Sequence, residues 1–485
     1  MCINIQQLTY LHPDKEVLFK NISFSVEQGQ KVALIGDNGS GKSTLLRIFS
    51  GKLTQSSGEV FLSSEPYYIP QHFGQYDNIS IAQALNIDVK LNALYEILYG
   101  KASVDNFTVL DDDWDIEKKA LSALSLWGLS YLALNQKMSE LSGGEKTKVF
   151  LSGLMIHQPD IVLLDEPTNH LDFYSREKLY DFIQTLHATM IIVSHDRVLL
   201  NQLTLIYELK KENITFYAGN YEFYNNQKDA EINALQAKLE DSEKDLRLAR
   251  KMAREVAERK QKHEARGKKN NLKKGVGKMA MDTLQDRAEK SSSKLKNVHL
   301  NKMDGILEDI AKIRAVLPDK RLMKTDFALS LLHEGKILVT ARNINYSYGS
   351  LPLWKSTLTF QIKSGERIAI KGMNGAGKTT LINLITGQLT VKEGILIKSD
   401  FKYVFLDQNY SIIDNSLTIL EQVQSFNEDL HEHEIKIILN RFLFPYDTWG
   451  KSCEKLSGGE KMKLALCCLM VNSNAPDMFI FQVIG

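Results

Sequence analysis

Two glycine-rich strings, repeated in the same context, constrain this chain more than any other feature. GDNGSGKS occupies residues 36–43 and GMNGAGKT occupies residues 372–379, and both match the pattern G-x-x-x-x-G-K-[ST]. Short apolar runs at 32–35 and 368–370 precede the two strings and predict strands, and a helical pattern follows each string. The sequence therefore predicts a duplicated strand, loop and helix unit.

The glycines of such a loop allow backbone N–H groups to converge on phosphate oxygens at a helix N-terminus. Lys42 and Lys378 would reach the terminal phosphates of ATP, and Ser43 and Thr379 would bind its magnesium ion. The loop residues that we expect to bind ATP are Gly36, Asn38, Gly39, Gly41, Lys42, Ser43 and Thr44, with Gly372, Asn374, Gly375, Gly377, Lys378, Thr379 and Thr380. A purely structural turn would not be expected to occur twice in this context.

Further strings recur downstream in the same order. A glutamine ends a strand-like run at Gln71 and at Gln408, and LSGGEK follows at 141–146 and at 456–461. In the first copy an apolar run then leads to DEPTNHLD at 165–172. The repeat therefore extends well beyond the phosphate loops.

With these strings in this order, the chain resembles the ATP-binding cassette superfamily over both halves. DEPTNHLD is similar to the corresponding string of the ABC-F family, whose members carry two cassettes in one chain joined by a charged helical linker. The resemblance implies an α/β fold with two P-loop ATP-binding cassette domains, the second incomplete, joined by an antiparallel α-helical hairpin. We place the domains at 1–224, 225–325 and 326–485, with a short arm insertion near 91–113.

The resemblance also assigns roles around the nucleotide. Asp165 would help to hold magnesium and Glu166 would polarise the attacking water, since two carboxylates at the end of an apolar run are costly to bury without a cation. Gln71 would contact the magnesium shell or the water, and His195 the terminal phosphate. The signature of each cassette would cover the nucleotide of the other: Ser142, Gly143 and Gly144 with the second phosphate loop and Gln408, and Ser457, Gly458 and Gly459 with the first.

The second copy lacks the acidic string. The register of the preceding residues places Gln482 where Asp165 stands and Val483 where Glu166 stands. Glutamine is a poor magnesium ligand and valine cannot polarise water, so we expect this site to bind ATP and to be catalytically inactive. The match with the first copy is good through Phe481 and then ends abruptly, which predicts a second domain truncated before its acidic residues and favours a frame change or premature stop over a natural degenerate site.

The aromatic residues ahead of each phosphate loop are candidates for stacking on adenine. Tyr348, ahead of the second loop, is a reasonable aromatic partner for the base. In the first half the register gives His12, with Tyr10 two residues earlier, so either could stack. Both could equally be ordinary strand residues.

The overall formal charge of +1 hides a strongly basic segment that lies between the two copies. Residues 246–280 contain thirteen basic and three acidic residues, a difference of +10. Apolar residues at heptad spacing predict a hairpin whose tip, broken by glycines and asparagines, includes Lys268, Lys269, Lys273 and Lys274. A solvated hairpin is one explanation, but charge concentrated at a tip favours an anionic partner such as RNA. The family resemblance implies ribosomal and transfer RNA.

The leading hypothesis is an ATP-hydrolysing ABC-F protein that uses ATP and Mg²⁺ and acts on the ribosome, as a translation factor or an antibiotic-protection factor. Its cassettes would pair within one chain, which predicts a monomer. Because no apolar run reaches about 18 residues and the N-terminus has no signal-peptide pattern, we expect a cytoplasmic protein. The alternatives are the ATPase subunit of a membrane transporter and an inactive truncated product.

Overall fold

The computed structural model describes most of the chain. The residues outside the description are 1, 14, 102, 212, 274–300, 315–316, 318–322, 324–329, 331, 350, 374, 408–409, 428–429, 472–475 and 483–485, with the side chains of 257, 260–261, 263–265 and 267–273. The chain forms two units, Met1–Tyr221 together with Met323–Gly485, and Glu222–Leu322.

The first half of the chain alternates strands and helices. Its strands are β1 (Ile3–Leu11), β2 (Val17–Val26), β3 (Lys31–Ile35), β4 (Ser57–Leu62), β5 (Tyr67–Ile69), β6 (Ile161–Asp165), β7 (Thr189–Val193), β8 (Leu205–Leu209) and β9 (Ile214–Ala218). Its helices are α1 (Lys42–Phe49), α2 (Ile81–Ala84), α3 (Asp88–Leu98), α4 (Val104–Leu110), α5 (Ile116–Leu126), α6 (Gly143–His157), α7 (Phe173–Thr185) and α8 (Arg197–Asn201).

A six-stranded sheet, ordered β5-β6-β7-β3-β8-β9, forms the centre of this half, and only the β8–β9 pair is antiparallel. Every residue of β6 and β7 is buried. Their sequences, IVLLD and TMIIV, are continuous apolar runs of the kind that parallel strands covered on both faces require. The phosphate loop follows β3 and the acidic pair ends β6, so both lie at the carboxyl edge of one sheet.

A three-stranded antiparallel sheet, β2-β1-β4, packs with the central sheet in one hydrophobic core. Phe19 and Ile22 of β2 share this core with Leu163 of β6, and α1 contributes Leu45 and Leu46. The helix that begins in the phosphate loop is therefore anchored by its own apolar face.

The second half repeats part of this arrangement. Its strands are β10 (Ile337–Asn345), β11 (Leu358–Lys363), β12 (Glu393–Lys398), β13 (Tyr403–Leu406) and β14 (Met478–Phe481). Its helices are α11 (Lys378–Thr386), α12 (Ile419–Gln424), α13 (Glu432–Arg441) and α14 (Gly458–Val471), where α10 is the helix of the other unit, at 301–314. Strands β11-β10-β12 form an antiparallel sheet and β13-β14 a parallel pair, and helices α12, α13 and α14 enclose a core that includes Phe442 and Cys468.

The predicted strand before the second phosphate loop is wrong. Residues 366–373 form no strand, and Ile368 is 56% exposed, whereas Val32 at the equivalent position is 1% exposed. In the first half this strand lies between β7 and β8, which supply its hydrogen bonds and cover its apolar residues. No strand in the described part of the second half pairs with 366–370. The apolar run alone cannot form a sheet.

The described residues of the other unit form two helices. Helix α9 (Tyr221–Lys273) has 53 residues, about 80 Å at 1.5 Å per residue, and it continues past Gly267 and the two asparagines that were expected to break it. A single helical glycine costs only about 1 kcal/mol relative to alanine. Arg314 of α10 donates to Glu243 of α9 at 2.7 Å, and both helices bury apolar residues. The predicted turn near Lys274 lies outside the described residues. Within the described helices, none is both long and apolar enough to cross a membrane.

Substitutions at Val32 and Ile368, which are equivalent positions, test whether 366–370 lacks the strand pairing that β3 has. Val32→Ala should lower the free energy of unfolding by about 2 kcal/mol, because it leaves a cavity within the central sheet. Ile368→Ala should change it by less than about 0.5 kcal/mol, because that side chain is already exposed. Urea denaturation of the two variants measures both values, and equal losses would contradict the assignment of 366–370 as unpaired.

Candidate functional site

The two phosphate loops hold their lysines in the same way. Lys42 Nζ donates to the carbonyl oxygens of Gly36 at 2.8 Å and Asp37 at 3.0 Å. In the second loop, Lys378 Nζ donates to the equivalent carbonyls, those of Gly372 and Met373, both at 2.8 Å. Burial lowers the pKa of Lys42, and the nearby carboxylates, Glu166 first, oppose this effect. Both ammonium groups are therefore held at the mouth of a phosphate cradle.

Only glycine fits the last loop position before each lysine. Gly41 has φ +97° and Gly377 has φ +86°, in the left-handed region. A Cβ atom at Gly41 would lie 2.8 Å from Leu18 Cδ2, and one at Gly377 would lie 2.6 Å from Leu353 Cδ2. The glycines therefore allow α1 and α11 to begin where backbone N–H groups are needed for phosphate oxygens.

Asp165 ends β6 beside the first phosphate loop. Ser43 Oγ donates to Asp165 Oδ1 at 3.1 Å, and Tyr68 Oη donates to Oδ2 at 3.4 Å. The residue is 1% exposed, and burial raises its pKa, although the two hydroxyl groups act in the opposite direction. A buried carboxylate next to a hydroxyl offers Mg²⁺ the hard oxygen ligands that it prefers. Ser43 and Asp165 therefore fit a magnesium ion at this site.

Glu166 follows with a strained backbone. Its φ is +52°, uncommon for a residue with a side chain, and its N–H donates to Val193 O at 2.8 Å. His195 approaches the carboxylate from the end of β7: its backbone N–H donates to Oε2 at 3.2 Å, and its Nε2 lies 3.5 Å from Oε1. Burial raises the pKa of Glu166 to about 7 and lowers the pKa of His195. A carboxylate with this pKa is suited to accept a proton near neutral pH.

The end of β14 takes the place of the end of β6. In the first half Ile69 of β5 pairs with Leu164, and in the second Leu406 of β13 pairs with Phe481. The next residue is Asp165 in one case and Gln482 in the other. Gln482 Nε2 donates to Thr379 Oγ1 at 3.1 Å, in the position of the Ser43–Asp165 contact. Val483 lies outside the described residues.

One cavity of about 850 Å³ joins the signature of the first half to the phosphate loop of the second. It is lined by Ser142, Gly143 and Gly144 on one side and by Lys378, Thr379 and Thr380 on the other. Tyr348 also lines it, and the Tyr348 hydroxyl lies 2.9 Å from Thr380 Oγ1. The structure therefore brings together the described residues that the sequence assigned to the second composite site, and Gln408, also assigned to it, lies outside the description.

Comparison with known proteins places this geometry in a family. The family described as ABC transporter matches residues 19–169 and 356–481, more than half of the chain. The chain belongs to this family and is of the ABC-F type. ABC transporter F family member 5 of Arabidopsis thaliana is 27% identical over 94% of this chain, which spans 65% of that relative. YfmM, an uncharacterized ABC transporter ATP-binding protein of Bacillus subtilis, is 29% identical over 96% of this chain and 87% of its own length. The energy-dependent translational throttle protein EttA of Escherichia coli K12 is 29% identical over 94% of this chain and 80% of its own length.

Other predicted site residues of this ABC-F chain make fewer contacts with the two nucleotide sites. Ser457 caps α14 and hydrogen-bonds with Glu460, and none of its hydrogen bonds in the described structure reaches the first phosphate loop. Gln71 lies two residues after β5, and no described hydrogen bond joins it to either carboxylate. Tyr10 contacts the rings of His12 and Phe19. Asn374, Gln408 and Lys274 lie outside the described residues, as do the side chains of Lys268, Lys269 and Lys273.

The structure adds residues to the ABC-F sites that motif reading missed. Tyr68 contacts Asp165 directly, and its place in the strand before Gln71 was the available signal, since β5 lies next to β6. At the second cavity, Lys148 and Asp172 approach to 4.0 Å, and the His170 ring packs against Gly143. The string DEPTNHLD begins with Asp165 at the first site and ends with Asp172 in the lining of the second cavity, and only the fold shows this.

Replacement of one hydroxyl tests the role of Tyr68. Tyr68→Phe removes the donor that orients Asp165, so the Mg²⁺ concentration for half-maximal binding of ATP should rise by about 10-fold or more. The measurement is titration of Mg²⁺ with a fluorescent ATP analogue. Tyr67→Phe is the matched control, because the Tyr67 hydroxyl donates instead to Phe150 O. An equal shift in both variants would show that Tyr68 acts only on stability.

Proposed function

We propose that this chain hydrolyses ATP at its first nucleotide site and uses the ATP-bound state to act on the ribosome, as a translation factor or an antibiotic-protection factor. One observation supports hydrolysis most strongly. At the end of β6, a buried aspartate contacts the phosphate-loop serine, and the next residue is a buried glutamate whose pKa is raised to about 7. This combination supplies a metal-binding position and a base at adjacent residues.

Each residue of the first site has a definite task. Lys42 and the N–H groups at the start of α1 bind the phosphates of ATP, and Ser43 and Asp165 would hold Mg²⁺, which supplies charge neutralisation. Glu166 orients the attacking water and accepts its proton. His195, whose ring nitrogen lies 3.5 Å from Glu166 Oε1, holds that carboxylate in place and contacts the terminal phosphate. In phosphoryl transfer this positioning, together with charge stabilisation, accounts for most of the catalysis.

The second site would bind ATP without hydrolysing it. Its phosphate loop matches the first in the contacts of Lys378, and its cavity includes the signature of the first half. Gln482 takes the position of Asp165 and cannot supply a carboxylate. Turnover would therefore come from the first site, where Ser457, Gly458 and Gly459 would complete the nucleotide pocket once they approach the first phosphate loop.

The ribosomal part of the proposal rests on relatives and on charge. EttA carries the name of a translational throttle and is similar to this chain over both halves and the linker. The linker has an excess of basic residues between 246 and 280, and many of them belong to the C-terminal part of α9. RNA phosphates match such a surface, because Lys and Arg release the counterions that phosphates condense. We place Lys268, Lys269, Lys273 and Lys274 against ribosomal and transfer RNA.

Glu166→Gln should separate binding from hydrolysis. Because the amide cannot accept a proton, kcat for ATP should fall by about 10²- to 10⁴-fold, while the variant still binds ATP. The ATP-bound protein should then accumulate on ribosomes, measured by sedimentation through sucrose. Glu177→Gln, on the exposed face of α7, is the control and should keep wild-type turnover.

The linker provides the second arm of this experiment. In the Glu166→Gln background, replacing Lys268, Lys269, Lys273 and Lys274 by glutamine should weaken ribosome binding and reduce its salt slope by about one for each lost phosphate contact. Recovery of the Glu166→Gln protein with membranes rather than ribosomes would instead favour a transporter subunit. Unchanged ribosome binding by the lysine variant would remove the tip from the proposal.

The pH dependence of turnover follows from the pKa of Glu166. Since the base must be ionised and its pKa is raised to about 7, kcat/KM for ATP should decline as the pH falls from about 8 to about 6. Steady-state kinetics on free protein measure this profile. The His195→Asn variant should show the same decline in kcat/KM. The pKa of His195 is lowered, so that residue titrates at a more acidic pH than Glu166. A profile that is flat down to pH 6 would exclude Glu166 as the base.

A further inference from the structure

The two phosphate-loop hydroxyls make hydrogen bonds of opposite direction. In the first site, Ser43 Oγ donates a hydrogen bond to Asp165 Oδ1, so the lone pairs of the serine oxygen remain available to a cation. In the second site, Thr379 Oγ1 is the acceptor, and Gln482 Nε2 donates into one of its lone pairs. The hydrogen bond leaves Thr379 Oγ1 with one lone pair for a cation, and the group beside it is an N–H donor instead of a carboxylate.

The residue beside Gln482 also differs from the residue beside Asp165, and again the second site has lost a polar group. In the first half, Tyr68 pairs with Leu163 of β6, two residues before Asp165, and donates to that carboxylate. The equivalent residue of β13 is Phe405, which pairs with Ile480, two residues before Gln482, and has no hydroxyl group. The aspartate and its tyrosine partner are thus both replaced. Mg²⁺ demands near-ideal octahedral oxygen coordination and gives up water reluctantly, so a neutral amide is a weak substitute.

Positive groups nevertheless remain in the second cavity. Lys378 is held in the same arrangement as Lys42, and the N-termini of α11 and α6 both open on the cavity. Lys148 also lines it, next to Asp172. These groups can neutralise part of the triphosphate charge without a metal ion. Among the described residues, the second cavity therefore keeps the groups that would bind phosphate and lacks the carboxylate that would bind a metal ion.

We propose that the second cavity binds ATP without a tightly held magnesium ion, so that this chain carries two nucleotides and one metal ion. This inference rests on the proposed ATP binding at both sites and goes beyond the loss of hydrolysis. Its cause is the replacement of the carboxylate by Gln482, whose amide N–H donates to Thr379 Oγ1, the hydroxyl expected to bind the metal ion.

Counting metal and nucleotide on the same sample tests this directly. The purified full chain is saturated with the non-hydrolysable analogue adenosine 5′-(β,γ-imido)triphosphate and Mn²⁺, and bound Mn²⁺ is measured by electron paramagnetic resonance. We expect two nucleotides and one Mn²⁺ per chain, and one nucleotide retained after removal of Mn²⁺ with EDTA. Two Mn²⁺ per chain, or loss of both nucleotides in EDTA, would overturn the proposal, and so would a single bound nucleotide.

Substitutions assign each nucleotide to its site. Lys378→Ala should remove the EDTA-resistant nucleotide, and Lys42→Ala should remove the nucleotide that depends on the metal. Gln482→Asp should add a second Mn²⁺ per chain, because it restores a carboxylate beside Thr379. Gln482→Asn has the same shape without the charge and should leave one. A second Mn²⁺ in both variants, or in neither, would contradict the role of Gln482. None of these counts involves the ribosome, so their outcome is independent of that part of the proposed function.

Discussion

The contact between a phosphate-loop hydroxyl and the residue at the carboxyl end of a second strand determines the chemistry of each half. It exists only because α1 begins in the loop after β3 while Asp165 ends β6, at the same edge of one parallel sheet. The apolar core fixes both ends: Leu45 and Leu46 anchor α1, and β6 is buried throughout. Burial in turn raises the pKa of Asp165 and Glu166 and makes the carboxylates sensitive to a nearby cation and to a bound phosphate.

The two halves share a backbone register in these strand pairs but differ in the side-chain chemistry that follows. The β5–β6 and β13–β14 pairs share one register, because short apolar strands pair through their backbones whichever residue follows them. The residue that follows decides what the site can bind. Asp165 and Gln482 occupy one position in the fold, yet Asp165 accepts a hydrogen bond from the loop hydroxyl and Gln482 donates one to it. A similar fold therefore does not guarantee a similar site.

Sequence reading reached the features whose physical cause is local. The phosphate loops, the signature helices and the alignment of Gln482 with Asp165 follow from strings of a few residues, because glycine geometry and helix starts depend on near neighbours. The features that it missed depend on distant partners. The run 368–370 is apolar enough for a strand, but a strand needs neighbours such as β7 and β8. Tyr68 becomes a partner of Asp165 only when β5 is placed beside β6.

A nucleotide in the second cavity would contact both halves at once, because the cavity lies between the signature at Ser142 to Gly144 and the loop at Lys378. If that nucleotide is neither hydrolysed nor dependent on a metal ion, this contact persists while the first site turns over. Hydrolysis at Glu166 would then release only the contacts around the first nucleotide, because a ligand can bias a conformation only through interactions that differ between the two states. The resulting motion would be an opening at the first site, with the second cavity as its fixed side.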